Sequence, residues 1–131
     1  MKKLSLLVAI LTGMVLTGCT TTQITLDEAK FVPPLTHAVK SNANDATVTI
    51  MRDGGMLGCA SPAYVSVDEK RVAKLWASEK AQIYLPAGKY FFKMEMGVTS
   101  DYAKVELKDK DEAVLRIYGD IVNGAAMSQI K

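Results

Sequence analysis

Between residues 90 and 98 the side chains alternate, with Tyr90, Phe92, Met94 and Met96 on one parity and Phe91, Lys93 and Glu95 on the other. A period of two suits a strand with one face on a core and one in water; a helix would scatter the same residues around its circumference. The Phe92 parity is therefore the expected core face. Six further segments carry the same signature. Ala46–Arg52 places Val48 and Ile50 on one side and Thr47 and Thr49 on the other. Residues 64–67, 71–76, 81–85, 103–108 (Val105 and Leu107 inward) and 113–118 (Leu115 and Ile117 inward) follow suit. About seven short strands separated by turn residues predict an all-β chain, folded as a small antiparallel β-sandwich.

The turns suggest a connectivity. Asp68, Glu69 and Lys70 form a charged tip between 64–67 and 71–76, so these two should pair as a hairpin. The Gly-rich stretch 53–62 reads as a loop, and Pro86-Ala87-Gly88-Lys89 should reverse the chain after Leu85. Asp109-Lys110-Asp111-Glu112 is polar throughout and predicts a second hairpin, joining 103–108 to 113–118. The tail after Gly119 is short enough to fray or to add an edge segment.

The N-terminus is of another kind. Lys2-Lys3 precede an apolar run, residues 4–16, that ends in Leu16-Thr17-Gly18-Cys19. Spanning a bilayer takes about 20 apolar residues, so this run is a secretory signal and not a membrane span. The four residues at its end look like a bacterial lipobox. That resemblance implies a diacylglyceryl group on the Cys19 thiol, cleavage between Gly18 and Cys19, and acylation of the new amino group. Thr20 stands where such lipoproteins carry an Asp when they stay in the inner membrane, so the expected address is the outer membrane, facing the periplasm. Three regions result: a signal peptide at 1–18, the lipidated cysteine and an extended tether at 19–45, and the β-sandwich at 46–131. Pro33-Pro34 forbids a helix in the tether, which can either space the domain from the bilayer or lie along it as an edge. Its apolar residues Ile24, Leu26, Phe31, Val32 and Leu35 argue that part of it packs.

The 113 residues after the signal carry 14 basic and 14 acidic side chains, because Lys2 and Lys3 account for the excess. Neutrality without a basic stripe gives no case for nucleic acid. Cys59 is left without an intramolecular partner once Cys19 is lipidated, and it reads as a small buried hydrophobe, an intermolecular disulfide or a reactive thiol. His37 is the only histidine and lies in the polar linker. Gly54, Gly55 and Gly58 lack the Gly-Lys-Ser/Thr ending of a phosphate loop, and Asp109, Asp111 and Glu112 lack the glycine and distant glutamate of a calcium loop. Met94 and Met96 share the parity of Phe92, which favours packing over soft-metal binding. The expectation is thus no catalytic residue, no metal and no cofactor beyond the lipid on Cys19. Cys59, Tyr64 and Trp76 are the candidate partner contacts.

The order of elements resembles a known family. Arg52 ending a strand, Gly55 and Gly58, the Val65-x-Val67-Asp68 hairpin with Val72 and Leu75, and Tyr84-Leu85-Pro86-x-Gly88-Lys89-Tyr90 resemble the bacterial lipoproteins grouped as domain of unknown function 2846. The resemblance spans residues 46–98. It implies an immunoglobulin-like or transthyretin-like sandwich, often lipid-anchored, with no established active site. Two positions depart from it: Glu69 where the family often has glycine, and Tyr90 where it usually has histidine. The resulting expectation is a non-enzymatic binding or accessory module, held at the membrane and contacting an envelope protein or the cell wall. Two alternatives stay open: a lipid-anchored inhibitor of an envelope hydrolase acting through residues 58–64, and a thiol-dependent enzyme using Cys59.

Overall fold

A computed structural model describes residues 21–55, 61–120 and 124–131. The alternating segments become strands of two stacked sheets. In the first, β3 (Ala46–Arg52) lies between β7 (Glu79–Leu85) and β10 (Glu112–Asp120), with β2 (Lys30–Phe31) beyond β7 and β11 (Gly124–Gln129) beyond β10. The second sheet has the order β6 (Lys70–Leu75), β5 (Ala63–Val67), β8 (Gly88–Met96), β9 (Thr99–Leu107). A short pair, β1 (Thr21–Thr22) with β4 (Gly54–Gly55), completes the described strands. The chain is an all-β sandwich. Val48, Ile50, Ile83, Leu115 and Ile117 from one sheet meet Val65, Val72, Leu75, Phe92, Met94 and Val105 from the other, all fully or almost fully buried. Each such side chain contributes about 2 kcal/mol of transfer free energy.

The first hairpin forms as expected, with a bulge between Val65 and Ser66. Its two-residue tip places both Asp68 (φ 46°) and Glu69 (φ 73°) in the left-handed region, the geometry of a type I′ turn. Type I′ turns in general favour glycine at the position Glu69 occupies.

The second expected hairpin does not form. Residues 108–111 do make a tight turn, in which the Lys108 N–H donates to Asp111 Oδ2 (2.8 Å), yet β9 and β10 enter different sheets. Instead β9 pairs with β8 across Gly97-Val98, where Gly97 (φ 60°) supplies the positive φ of a two-residue turn. Alternation could not separate the two arrangements, because both point Val105, Leu107, Leu115 and Ile117 at the core. Pro86-Ala87 likewise turns the chain between sheets and not into a hairpin. The antiparallel expectation needs a second correction: β10 runs parallel to β3, and β2 parallel to β7. Parallel neighbours need a long crossover, and the passage through β5, β6, β8 and β9 provides one for β3 and β10. Within the stretch read as a loop, Gly54–Gly55 pairs with Thr21–Thr22. The tail adds an edge strand, β11.

Residues 30–45 run the length of the sandwich. The Val32 N–H donates to Lys80 O (2.9 Å), the Leu35 N–H to Val72 O (2.8 Å) and the Tyr84 N–H to His37 O (3.0 Å), so this segment closes the gap between the edges β7 and β6. Pro33 and Pro34 fit there because they bring no N–H that would need a partner. At the far end the buried Asp45 carboxylate accepts from Ser41 N (2.8 Å), Ser41 Oγ (3.0 Å) and Asn42 N (3.2 Å). Burial alone would raise its pKa, but these donors and the Lys40 charge outweigh it and hold the carboxyl below the ordinary 3.8. A depressed pKa stabilises the fold fully above that ordinary value, and the contribution is lost as pH falls through the lower folded one. Urea midpoints followed down through this window should therefore fall less steeply for Asp45→Asn than for the native chain.

Candidate interaction surface

The parity that sends Phe92, Met94 and Val105 inward sends their neighbours out. On the outer face of the four-stranded sheet stand Tyr64 and Ser66 from β5, Arg71 and Lys74 from β6, Phe91, Lys93 and Glu95 from β8, and Tyr102 and Lys104 from β9. Phe91 and Tyr102 are large apolar rings in water, 43% and 49% exposed. They come from diagonal positions of adjacent strands and stack with centroids 5.0 Å apart and planes 27° from parallel. Lys93 lies 5.8 Å from the Tyr102 centroid and 3.7 Å from Glu95. A shallow depression beside this pair is lined by Ser66, Glu69, Phe91, Lys93, Glu95 and Tyr102.

The same face continues towards Trp76. The Arg71 guanidinium covers the Tyr64 ring at 4.0 Å, which leaves Tyr64 half-buried. Lys74 sits 5.9 Å from the Tyr64 ring and 5.8 Å from the exposed Trp76 ring, so two of the three expected contacts share one neighbourhood. Contacts of this kind between a cation and an exposed ring are worth about 0.5–1 kcal/mol. The third, Cys59, lies outside the described residues, as do Gly18 and Cys19. Phe91 and Tyr102 did not stand out in the sequence. The available signal was an aromatic on the water-facing parity of a strand, Phe91 between Lys89 and Lys93.

The opposite outer face is covered in part by the chain's own N-terminal segment. Asp53 receives Arg116 Nε (3.0 and 3.1 Å) together with Arg116 Nη2, and it accepts the Ile24 N–H at 3.4 Å. Hydrogen bonding to Asp53 raises the Arg116 pKa further, against a smaller lowering by burial. Lys80 Nζ donates to Leu26 O and lies 4.3 Å from the Phe31 ring. Ala29 in this strap and Lys80 beneath it are buried. Gly54 fits closely beneath the strap: a β-carbon there would come within 2.7 Å of Ser78 Oγ, so that hydroxyl would have to rotate away.

His37 is exposed and bonded through its carbonyl to Tyr84, near the Asp45 end of the sandwich, whereas Gly55 and Ser61, the described residues that flank Cys59 in sequence, stand at the other end. Among the described residues no group of three or more His, Cys, Asp or Glu side chains could hold a metal ion, and no helix is long and apolar enough to cross a membrane. The exposed rings with their flanking cations and carboxylates make a surface for contact, through stacking and through hydrogen bonds at its rim. Compared with protein-family models and with curated proteins, the chain matches neither, so the resemblance to domain-of-unknown-function lipoproteins rests on the residues quoted above.

Proposed function

We propose that this chain is a lipoprotein of the outer membrane, anchored through Cys19 and facing the periplasm, whose β-sandwich is a non-enzymatic module that binds an envelope protein or the cell wall. The observation that carries the reading is the exposed Phe91–Tyr102 stack on the outer face of the four-stranded sheet. Stacking across neighbouring strands gives the fold about 0.5–1 kcal/mol, yet it leaves close to half of each ring in water, and exposed aromatics with a polar rim are what contact surfaces use. The opposite face is unsuited to the task where the strap covers it.

The test is in-cell photocrosslinking with a reactive residue at Tyr102 or, as control, at Asn44 on the distal end. A discrete adduct to one envelope protein or to cell-wall glycan from Tyr102, lost on Phe91→Ala and absent from Asn44, is the expected result. Adducts from Asn44 alone, or none that depend on Phe91, would contradict the assignment of the face.

A further inference from the structure

The sandwich has two chemically different ends. One gathers Asp68, Glu69, Lys70, Lys108, Asp109, Lys110, Glu112 and Lys131, all exposed. The other is where β6, β8 and β10 finish, and there Trp76, Val98 and Tyr118 are 42%, 105% and 39% exposed. Four carboxylates near this second end have partners: Asp53 in Arg116, Glu79 in the Trp76 N–H (2.7 Å), Asp101 in the Met127 N–H (2.9 Å) and the more exposed Glu95 in Lys93 (3.7 Å). Of the cations there, Arg52 is buried on Ser61 O and Leu75 O, while Lys74 and Arg116 lie against the Trp76 and Tyr118 rings, at 5.8 and 5.4 Å.

The chain enters at that same end. Thr21–Thr22 is paired to Gly54–Gly55, so the folded domain begins two residues after Cys19. Two residues reach at most about 7 Å. The segment between Thr22 and Asp45 provides no slack, because it is bonded to Asp53, Lys80, Val72 and Tyr84 along its course. We infer that the end bearing Trp76, Val98 and Tyr118 rests in the headgroup region of the lipid surface that holds Cys19, with the charged end pointing away. Tryptophan and tyrosine favour that region because each has an apolar body and a polar tip, and lysine and arginine beside them reach lipid phosphates. The inference rests on the proposed anchor at Cys19. It adds an orientation: an upright domain keeps the Phe91–Tyr102 face perpendicular to the bilayer and open to a partner.

Trp76 is the only tryptophan, which makes the test direct. The lipidated protein, purified from membranes, is incorporated into phosphatidylethanolamine–phosphatidylglycerol vesicles whose acyl chains carry bromine near the headgroup, and the vesicles are floated. A second protein, Trp76→Phe with Ala87→Trp, reports from the charged end. Expected are co-flotation of both proteins, blue-shifted emission from Trp76, and quenching of Trp76 severalfold stronger than that of the tryptophan at position 87. Co-flotation with Trp76 unquenched would overturn the docking and leave the anchor standing. Equal quenching of the two reporters would overturn the upright orientation, and failure to float would remove the anchor and the docking with it.

Discussion

Replacing Asp53 with alanine should destabilise the domain by about 3 kcal/mol, the lower part of the range for breaking a buried ion pair, because the Arg116 side chain keeps 20% of its surface in water. The carboxylate is 4% exposed and joins three elements. It receives Arg116 from β10 and the Ile24 N–H from the strap, while its backbone donates to Ile117 O (2.9 Å) and accepts from Ser78 N (3.3 Å). Its removal strands a guanidinium against the sheet and frees the Ile24 N–H of the strap. The check is equilibrium urea unfolding followed by Trp76 emission. Arg116→Met in the Asp53→Ala background should recover much of the loss, since the penalty comes from the unpaired charge and not from the pair itself. A single-variant cost under about 1 kcal/mol would mean that the pair is only a surface contact.

Cys19→Ser should have the largest effect on where the protein resides. On the proposed reading the thioether forms before the signal is cut, and serine offers no thiol for it. Each methylene buried in a bilayer is worth about 0.8 kcal/mol, so two or three acyl chains hold durably and their loss leaves no comparable attachment. Metabolic labelling with a clickable palmitate analogue, followed by density fractionation of membranes, should show label and outer-membrane position lost together in Cys19→Ser and both kept in Cys59→Ser. Labelling that persists in Cys19→Ser, or that disappears in Cys59→Ser, would assign the lipid wrongly.

Much of the sandwich was legible because parity is local. Val48, Ile50, Phe92, Met94, Val105, Leu107, Leu115 and Ile117 were all assigned to the core from their neighbours alone, and all are buried. Which strand lies beside which is not local. The tight turn at 108–111 and the alternation around it fit a hairpin as well as a crossing between sheets, and the parallel pairing of β3 with β10 depends on everything between them. The role of residues 30–45 was open for the same reason, since only the placement of β6 and β7 creates the gap that Val32, Pro33, Pro34 and Leu35 fill. The contact face was half legible. Tyr64, at the end of the 58–64 stretch, and Trp76, at the end of a strand, are candidate contacts from sequence, but the stacking of Phe91 on Tyr102 needed the register of β8 and β9, which pairs Phe91 with Lys104 and Lys93 with Tyr102. The two-residue distance from Cys19 to the folded domain was hidden as well, because Gly54-Gly55 reads as a loop until Thr21–Thr22 pairs with it.

The most direct measurement is the intact mass and N-terminal peptide of the native chain extracted from membranes. The account predicts that residues 1–18 are gone and that the first residue is Cys19, carrying acyl chains on its thiol and amino group, two residues before the strand Thr21–Thr22. A chain that still begins at Met1, or one that is cut elsewhere with a free Cys19 thiol, would contradict it.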